Sequence, residues 1–358
     1  MRQAFPEQMQ PAVLADAPRG RRFRWRALTL AATALVTIGV VTGVALAQTR
    51  ATPIGTGVVV IETALGYQGG SAAGTGMVLT SSGEVLTNNH VIRGATTIRI
   101  VLPGTTSTYT AKVVGYDVTD DVAVLQAVGA SNLKTVATAG SSKLSVGDAV
   151  TAVGDAGGTG TLTPATGSIT GLRQSVVVND EQGGTARLTG MIGTDAGVQP
   201  GDSGGPLLNS AGKVVGMDTA GSTRYAFSSA GATQAYAIPI AKALSIAKQI
   251  ESGQASTRVH IGGTPFLGIE VATNIGAGDT SSAGAVVADV LSGGPAASAG
   301  LSAGDVITAI DGRAISSSST ISSVLLTKKP GAKVTISYTD QAGASHSATV
   351  TLASGPAQ

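Results

Sequence analysis

A mainly β fold of the barrel or sandwich type is predicted by three features of this chain. Glycine is abundant at 50 residues, while aromatics make up 3% and charged residues 12%. That composition suits short strands and tight turns better than long helices. Apolar, β-branched runs recur at close spacing along residues 58–238, and Gly, Pro and Asp punctuate them. No repeat of solenoid or collagen type interrupts the pattern.

Taken in order, Val58-Val59-Val60-Ile61 reads as a buried strand. Gly76–Thr80 and Glu84–Thr87 flank a Ser81-Ser82-Gly83 turn and form a strand–turn–strand unit. Thr97–Val101, Thr108–Val114 and Val122–Ala127 continue the series, followed by Ala149–Val153, Gly167–Leu172, Lys213–Met217 and Ala235–Ile238. Ile240–Glu251 is helical by pattern, with Ala243, Leu244, Ala247 and Ile250 on one face and Gly253 as a stop. Residues 253–263 read as a linker. A second unit with its own strands occupies 264–354, and its Ser319–Leu326 stretch is helical, with Ile321, Val324 and Leu325 on one face.

Charge is unevenly placed. Residues 1–26 carry six arginines against Glu7 and Asp16, a local net of +4, and the remainder has a net of −2. The body therefore lacks the basic stripe that a nucleic-acid partner requires. Behind the basic tail 1–26, expected to stay cytoplasmic, residues 27–48 hold an uncharged, mostly apolar stretch from Ala27 to Ala47. It is long enough to span a hydrocarbon core of about 30 Å, and the arginines orient it so that the chain emerges outside. Ala45-Leu46-Ala47 has the form of a signal-peptidase site. The length of the stretch instead favours a retained transmembrane anchor. An extracytoplasmic place in the cell envelope follows either way, anchored through 27–48 or secreted after cleavage near Ala47. The chain has no cysteine, which excludes disulfides and thiolate catalysis.

Three residues then draw attention as a set. Gly201-Asp202-Ser203-Gly204-Gly205 surrounds one serine with glycines that permit a tight turn, and such a turn can aim the amides of Gly201 and Ser203 at a developing oxyanion. His90 follows Thr87-Asn88-Asn89 at the end of an apolar strand, whereas His260 in the linker and His346 on a Gly/Ser-rich hairpin read as solvated surface residues. Asp121 opens the apolar run Val122–Leu125, where a partly buried carboxylate needs a partner such as an imidazolium. Asp117 and Asp120 read as exposed turn residues. The three acids lack EF-hand spacing, so no metal is expected, and no cofactor.

Thr87-Asn88-Asn89-His90-Val91-Ile92, Asp121-Val122-Ala123-Val124-Leu125 and Gln199-Pro200-Gly201-Asp202-Ser203-Gly204-Gly205-Pro206 follow one another in the order His, Asp, Ser. With Gly74-Thr75-Gly76, Thr194-Asp195-Ala196, Val215-Gly216-Met217 and Tyr236-Ala237-Ile238-Pro239, they resemble the HtrA/Deg-type trypsin-like serine proteases. The Gly-rich composition, exported N-terminus and C-terminal module look closest to the mycobacterial PepA-type secreted proteases. The resemblance implies a chymotrypsin-like double β-barrel over 49–252. It also implies His90 as general base, Asp121 as its orienting carboxylate, Ser203 as nucleophile, and Gly201 and Ser203 amides as the oxyanion hole. Most relatives have Asn at the position of Asp202, and how this Asp is satisfied stays open. The residue six before the nucleophile is Gly197, which offers no carboxylate and implies cleavage after small or medium apolar residues.

Residues from Thr264 onward resemble a PDZ domain. Phe266-Leu267-Gly268-Ile269 looks like its carboxylate-binding loop, and Pro295–Leu301 with Gly304–Gly312 matches its core. The implied partners are protein substrates and C-terminal peptides held between the Ile269 strand and the Ser319–Leu326 helix. A homotrimer is the assembly the resemblance implies, against which stands the short, aromatic-poor segment before the barrel. The competing reading is a catalytically latent chaperone or peptide sensor that uses the PDZ groove alone.

Overall fold

The computed structural model describes residues 54–67, 69–179, 185–219, 234–272 and 284–357. The basic tail 1–26 and the apolar segment 27–48 lie outside the described residues. Among the described ones, no helix is long and apolar enough to cross a membrane.

The first barrel is built from β1 (Val58–Leu65), β2 (Gly70–Val78), β3 (Glu84–Thr87), β4 (Thr97–Val101), β5 (Thr108–Asp117) and β6 (Val122–Ala127), with the one-turn helix α1 (Asn89–Ile92) after β3. The strands run in the order β5-β4-β1-β2-β3-β6, and β6 pairs back onto β5 to close the ring. β4 shows the alternation that makes a barrel wall: Ile98 and Ile100 are buried, while Thr97 and Arg99 are exposed. Arg99 faces Glu62 across the β1–β4 pair at 3.7 Å. Ile61, Val85, Ile100 and Leu125 fill the interior.

The second barrel comprises β7 (Ala149–Gly154), β8 (Thr163–Asn179), β9 (Thr185–Thr194), β10 (Pro206–Asn209), β11 (Val214–Thr219) and β12 (Ala235–Pro239), closed in the order β10-β11-β12-β9-β8-β7. β9 is the strand that periodicity misses. Gly190 at φ +75° and Arg173 at φ +55° accompany register shifts along the β8–β9 pair, so the buried Leu188, Met191 and Ile192 do not alternate strictly.

Helix α2 (Ile240–Glu251) packs Ile240, Ala243, Ile246, Ala247 and Ile250 into a core shared with both barrels. Residues 253–263 are more than a tether. They contain β13 (Val259–Ile261), which adds to the edge of β5. Beyond it lie β14 (Thr264–Phe266), β15 (Ile269–Val271), β16 (Ala285–Val290), α3 (Pro295–Ser298), β17 (Val306–Ile310), β18 (Arg313–Ala314), α4 (Ser318–Leu325), β19 (Lys333–Thr339), β20 (Ser345–Thr351) and β21 (Ala353–Gly355). The main sheet here runs β15-β16-β17-β19-β20 around its own core of Leu267, Ile307, Ile336 and Val350. α4 starts one residue earlier than periodicity suggests because Ser317 caps it, accepting a hydrogen bond from the Thr320 amide at 3.2 Å.

His260 differs from its sequence reading. It is buried, with Nδ1 3.2 Å from the Leu326 carbonyl oxygen, Nε2 3.1 Å from that of Gly263, and its ring against Tyr116. β13 places it there by pairing His260 with Tyr116 of β5. His346 is exposed and pairs with Asp340 at 2.7 Å.

Candidate active site

β3 ends at Thr87, and the chain turns through Asn88 into α1, whose Val91 and Ile92 are buried in the first barrel. This anchoring leaves His90 at the barrel surface, its side chain 44% exposed. Asp121 arrives from the β5–β6 turn in the left-handed region at φ +55°, a conformation Asp tolerates better than most side chains. Its carbonyl accepts from Asn88 Nδ2 at 2.9 Å, which locks the two turns together. The carboxylate then meets His90 twice. Oδ1 accepts the His90 backbone amide at 2.9 Å, and Oδ2 lies 2.8 Å from Nδ1. Thr219, at the end of β11, donates to the same Oδ2 at 3.3 Å. One carboxylate thus ties the two barrels at the imidazole.

The Ser203 turn sits on the other side of this junction. Gly201 adopts φ +101° and Gly204 φ +85°, both open to glycine and strained for other residues. At Gly204 a Cβ would overlap the Thr75 carbonyl oxygen and the Thr87 hydroxyl, so the turn packs directly on the strand leading to His90. Ser203 is buried, and its carbonyl accepts from the Thr75 amide at 2.8 Å. Gly204 N–H donates to the Asp218 carbonyl at 2.8 Å, which fastens the turn to β11. The Pro200 carbonyl accepts from Gly157 at 2.7 Å, so in a planar trans peptide the Gly201 N–H points away from residue 157.

Behind the turn lies a group of acids that sequence reading left without partners. Asp202 Oδ2 accepts from the Gln199 amide at 2.8 Å, while Oδ1 is buried against Gly154. Burial raises the Asp202 carboxyl above its ordinary range; the Gln199 hydrogen bond opposes this and the Asp155 charge adds to it. Asp218 is fully buried, and neither of its carboxyl oxygens has a hydrogen-bond partner among the described residues. Its burial, with Asp202 nearby, holds it far above the usual carboxylate range. Asp155 Oδ1 accepts from the amides of Gly160 and Thr161 at 2.7 and 3.2 Å.

Two other acids correct the sequence reading. Asp117 and Asp120 are buried, not exposed. Asp117 accepts the Asp120 amide at 2.9 Å, and Asp120 pairs with Arg258 and, at 2.6 Å, with Lys242. They fasten the β13 segment and α2 to the first barrel. The described residues contain no cluster of side chains able to hold a metal ion. Gly197 is exposed, with open space where a Cβ would stand. Asp195 beside it is committed to Ser168, whose amide donates to it at 2.6 Å, and these hydrogen bonds lower its carboxyl.

In the second unit, Phe266 stacks on Tyr67 of the first barrel at 5.3 Å between ring centroids. Leu267 is buried and Gly268 turns at φ +78°. The carbonyls of Leu267 and Gly268 accept from Ala296 and Leu291 at 2.9 and 3.0 Å. Ile269 then enters β15, which pairs with β16.

Comparison with known proteins agrees with this architecture. The family model for a trypsin-like peptidase domain matches residues 74–217, and that for a PDZ domain matches 265–352. Serine protease PepD of Mycobacterium tuberculosis (strain ATCC 25618 / H37Rv) is 36% identical over 312 residues, 82% of this chain and 63% of that protein. The chain belongs to the HtrA-type trypsin-like serine proteases. A probable periplasmic serine endoprotease, DegP-like, of Chlamydia muridarum (strain MoPn / Nigg) is 38% identical to this HtrA-type chain over 148 residues, 41% of this chain and 28% of that protein. The chain therefore spans less than two thirds of the length of either relative. A solved structure titled "HtrA-type protease AlgW with tripeptide" is 30% identical, covers 84% of this chain and 94% of that one, and overlays at a TM-score of 0.47.

Sequence reading named His90, Asp121 and Ser203 but gave no role to Thr75, Asp155, Asp218 or Thr219. Thr75 sits in a recognisable Gly-Thr-Gly, but nothing local says what its hydroxyl reaches. In this HtrA-type fold, the partners of these residues come from strands far away in the chain.

Proposed function

We propose that this chain is an exported serine endopeptidase in which Ser203 is the nucleophile, His90 the general base and Asp121 its orienting carboxylate. The observation that carries the reading is the double hold of Asp121 on His90, at 2.9 Å to the amide and 2.8 Å to Nδ1. A carboxylate bound to Nδ1–H leaves Nε2 as the acceptor, the tautomer a base requires. Ser203 would give its proton to Nε2 as Oγ attacks a peptide carbonyl. The imidazolium would then protonate the leaving amine, and water would release the acyl group by the reverse sequence. The amides of Gly201 and Ser203 would receive the oxyanion.

The segment before the barrel supports export: 1–26 as a basic cytoplasmic tail and 27–48 as a signal peptide or anchor, with the protease over 49–252, a linker over 253–263 and a PDZ domain over 264–354. The periplasmic assignment of the Chlamydia relative is in line with an envelope location. The Leu267 and Gly268 carbonyls engage Ala296 and Leu291, so the planar peptides direct the Gly268 and Ile269 amides the opposite way. That arrangement suits a peptide C-terminus held by Phe266–Ile269, with its strand added to β15. Gly197 in open space favours small or medium apolar residues before the cut. A peptide library cleaved mainly after Lys or Arg would reject that specificity.

The test is labelling of the full chain with a serine-reactive phosphonate, wild type against Ser203→Ala. Labelling and peptide cleavage by wild type alone support the enzyme. Absence of both, with peptides still binding the PDZ unit, would favour a latent binder.

A further inference from the structure

Thr75 stands in β2 and is fully buried, and its polar groups reach partners in both barrels. Its amide donates to the Ser203 carbonyl at 2.8 Å. Its carbonyl accepts from the Thr87 hydroxyl at 2.7 Å. Its hydroxyl donates to the Gly201 carbonyl at 2.7 Å and accepts from the Asp155 amide at 2.9 Å. One residue of the first barrel thus touches the nucleophile turn at two carbonyls, the 155–161 loop of the second barrel, and the end of β3, which leads to His90.

The hydroxyl contact matters most for chemistry. The Gly201–Asp202 peptide lies between the two amides assigned to the oxyanion, that of Gly201 and that of Ser203. Gly201 at φ +101° has no Cβ to restrict rotation there. Rotation of that middle peptide would swing both amides; its N–H is held by the Gln199 carbonyl within the turn at 3.0 Å, and its carbonyl is held from the other barrel by Thr75. A hydroxyl can donate once while accepting, and here it does both in a chain running from Asp155 N–H through Thr75 Oγ1 to the Gly201 oxygen.

We infer that Thr75 is a positioning residue whose hydroxyl sets the oxyanion-binding geometry of the Ser203 turn, an inference that rests on the catalytic reading of Ser203. A methyl in its place keeps the volume but orphans the buried Asp155 amide and releases the Gly201 carbonyl. Serine restores both hydrogen bonds with the loss of only the Cγ2 methyl, which packs toward Gly205.

The experiment compares wild type, Thr75→Val and Thr75→Ser in the full chain. Thr75→Val is expected to lower kcat on a peptide substrate about 30-fold or more, short of the loss on removing an oxyanion donor outright. Its KM should stay within about threefold, and its affinity for a peptidyl aldehyde should fall in parallel with kcat. Thr75→Ser should return kcat to within about threefold of wild type. Amide exchange gives a readout independent of activity: Asp155 should lose protection in Thr75→Val and keep it in Thr75→Ser. If Thr75→Val does not fold, Thr75→Ala carries the same expectations. Wild-type kcat in a folded Thr75→Val, or equal losses in Val and Ser, would overturn the inference. A wild type that neither cleaves nor labels would reject the catalytic reading instead. The Asp155 exchange pattern would then still decide whether the hydroxyl holds the turn.

Discussion

Asp121 grips His90 at two points, the backbone amide through Oδ1 and the ring Nδ1 through Oδ2. Position and tautomer of the imidazole are therefore set by one side chain. Asp121→Asn keeps an acceptor for the amide but presents an N–H to Nδ1, which moves the ring proton to Nε2. We expect kcat to fall by about 10⁴ with little change in KM. Steady-state kinetics on one peptide substrate measures it, and a loss under tenfold would contradict the assignment. Asp121→Ala should also destabilise the fold by about 1–2 kcal/mol, because Ala at φ +55° is strained and the His90 amide loses its partner.

Asp218 predicts a pH dependence of stability. Its folded-state carboxyl is held well above the unfolded value by burial and then by Asp202. The folded state therefore favours the proton, and the stabilisation is fully present below the unfolded value and lost as pH rises through the folded one. Asp202 acts in the same direction. Asp218→Asn should melt higher than wild type at neutral pH, with the advantage shrinking as pH falls toward about 4. Melting curves from pH 4 to 8 test it; parallel profiles would refute it.

Gly204→Ala should be among the most damaging single changes. At φ +85° the new Cβ would be strained by about 1–2 kcal/mol and would overlap the Thr75 carbonyl and the Thr87 hydroxyl. Both barrels would have to shift, so we expect lower melting temperature together with loss of cleavage. Full activity in a stable Gly204→Ala protein would show that the turn is not clamped as described.

His260 has two carbonyl oxygens on its ring nitrogens, from Leu326 and Gly263. Carbonyls only accept, so the ring N–H of His260 serves one of these two oxygens. His260→Phe keeps a ring against Tyr116 but leaves the oxygen that accepted from the ring without that donor, at a cost of about 1–3 kcal/mol. Amide exchange should rise in β13 and at the C-terminal end of α4 while the barrel cores stay protected. Unchanged exchange in both segments would show that His260 does not hold them together.

The strand pattern of both barrels and the helices α2 and α4 are legible in the residues, because each element writes its own period into the chain. The order of the proposed triad is legible as well, since His90, Asp121 and Ser203 each sit in a short, recognisable stretch. β9 was hidden by the Gly190 and Arg173 irregularities, which break alternation locally. Asp117, Asp120 and His260 read as solvated in sequence yet are buried, because polarity alone does not reveal a partner.

What the sequence determined by itself is the alternation that makes strands, the punctuation that makes turns, and the glycines that let the Ser203 turn form. Tertiary structure alone decided that β6 closes onto β5, that Asp218 is buried, and that Thr75 reaches Asp155 and Gly201, 80 and 126 residues away in the chain. The physical reason is range. Periodicity records which face of an element is apolar, whereas a buried polar group is defined by the partner that satisfies it, and the partners of the Thr75 hydroxyl come from the other barrel.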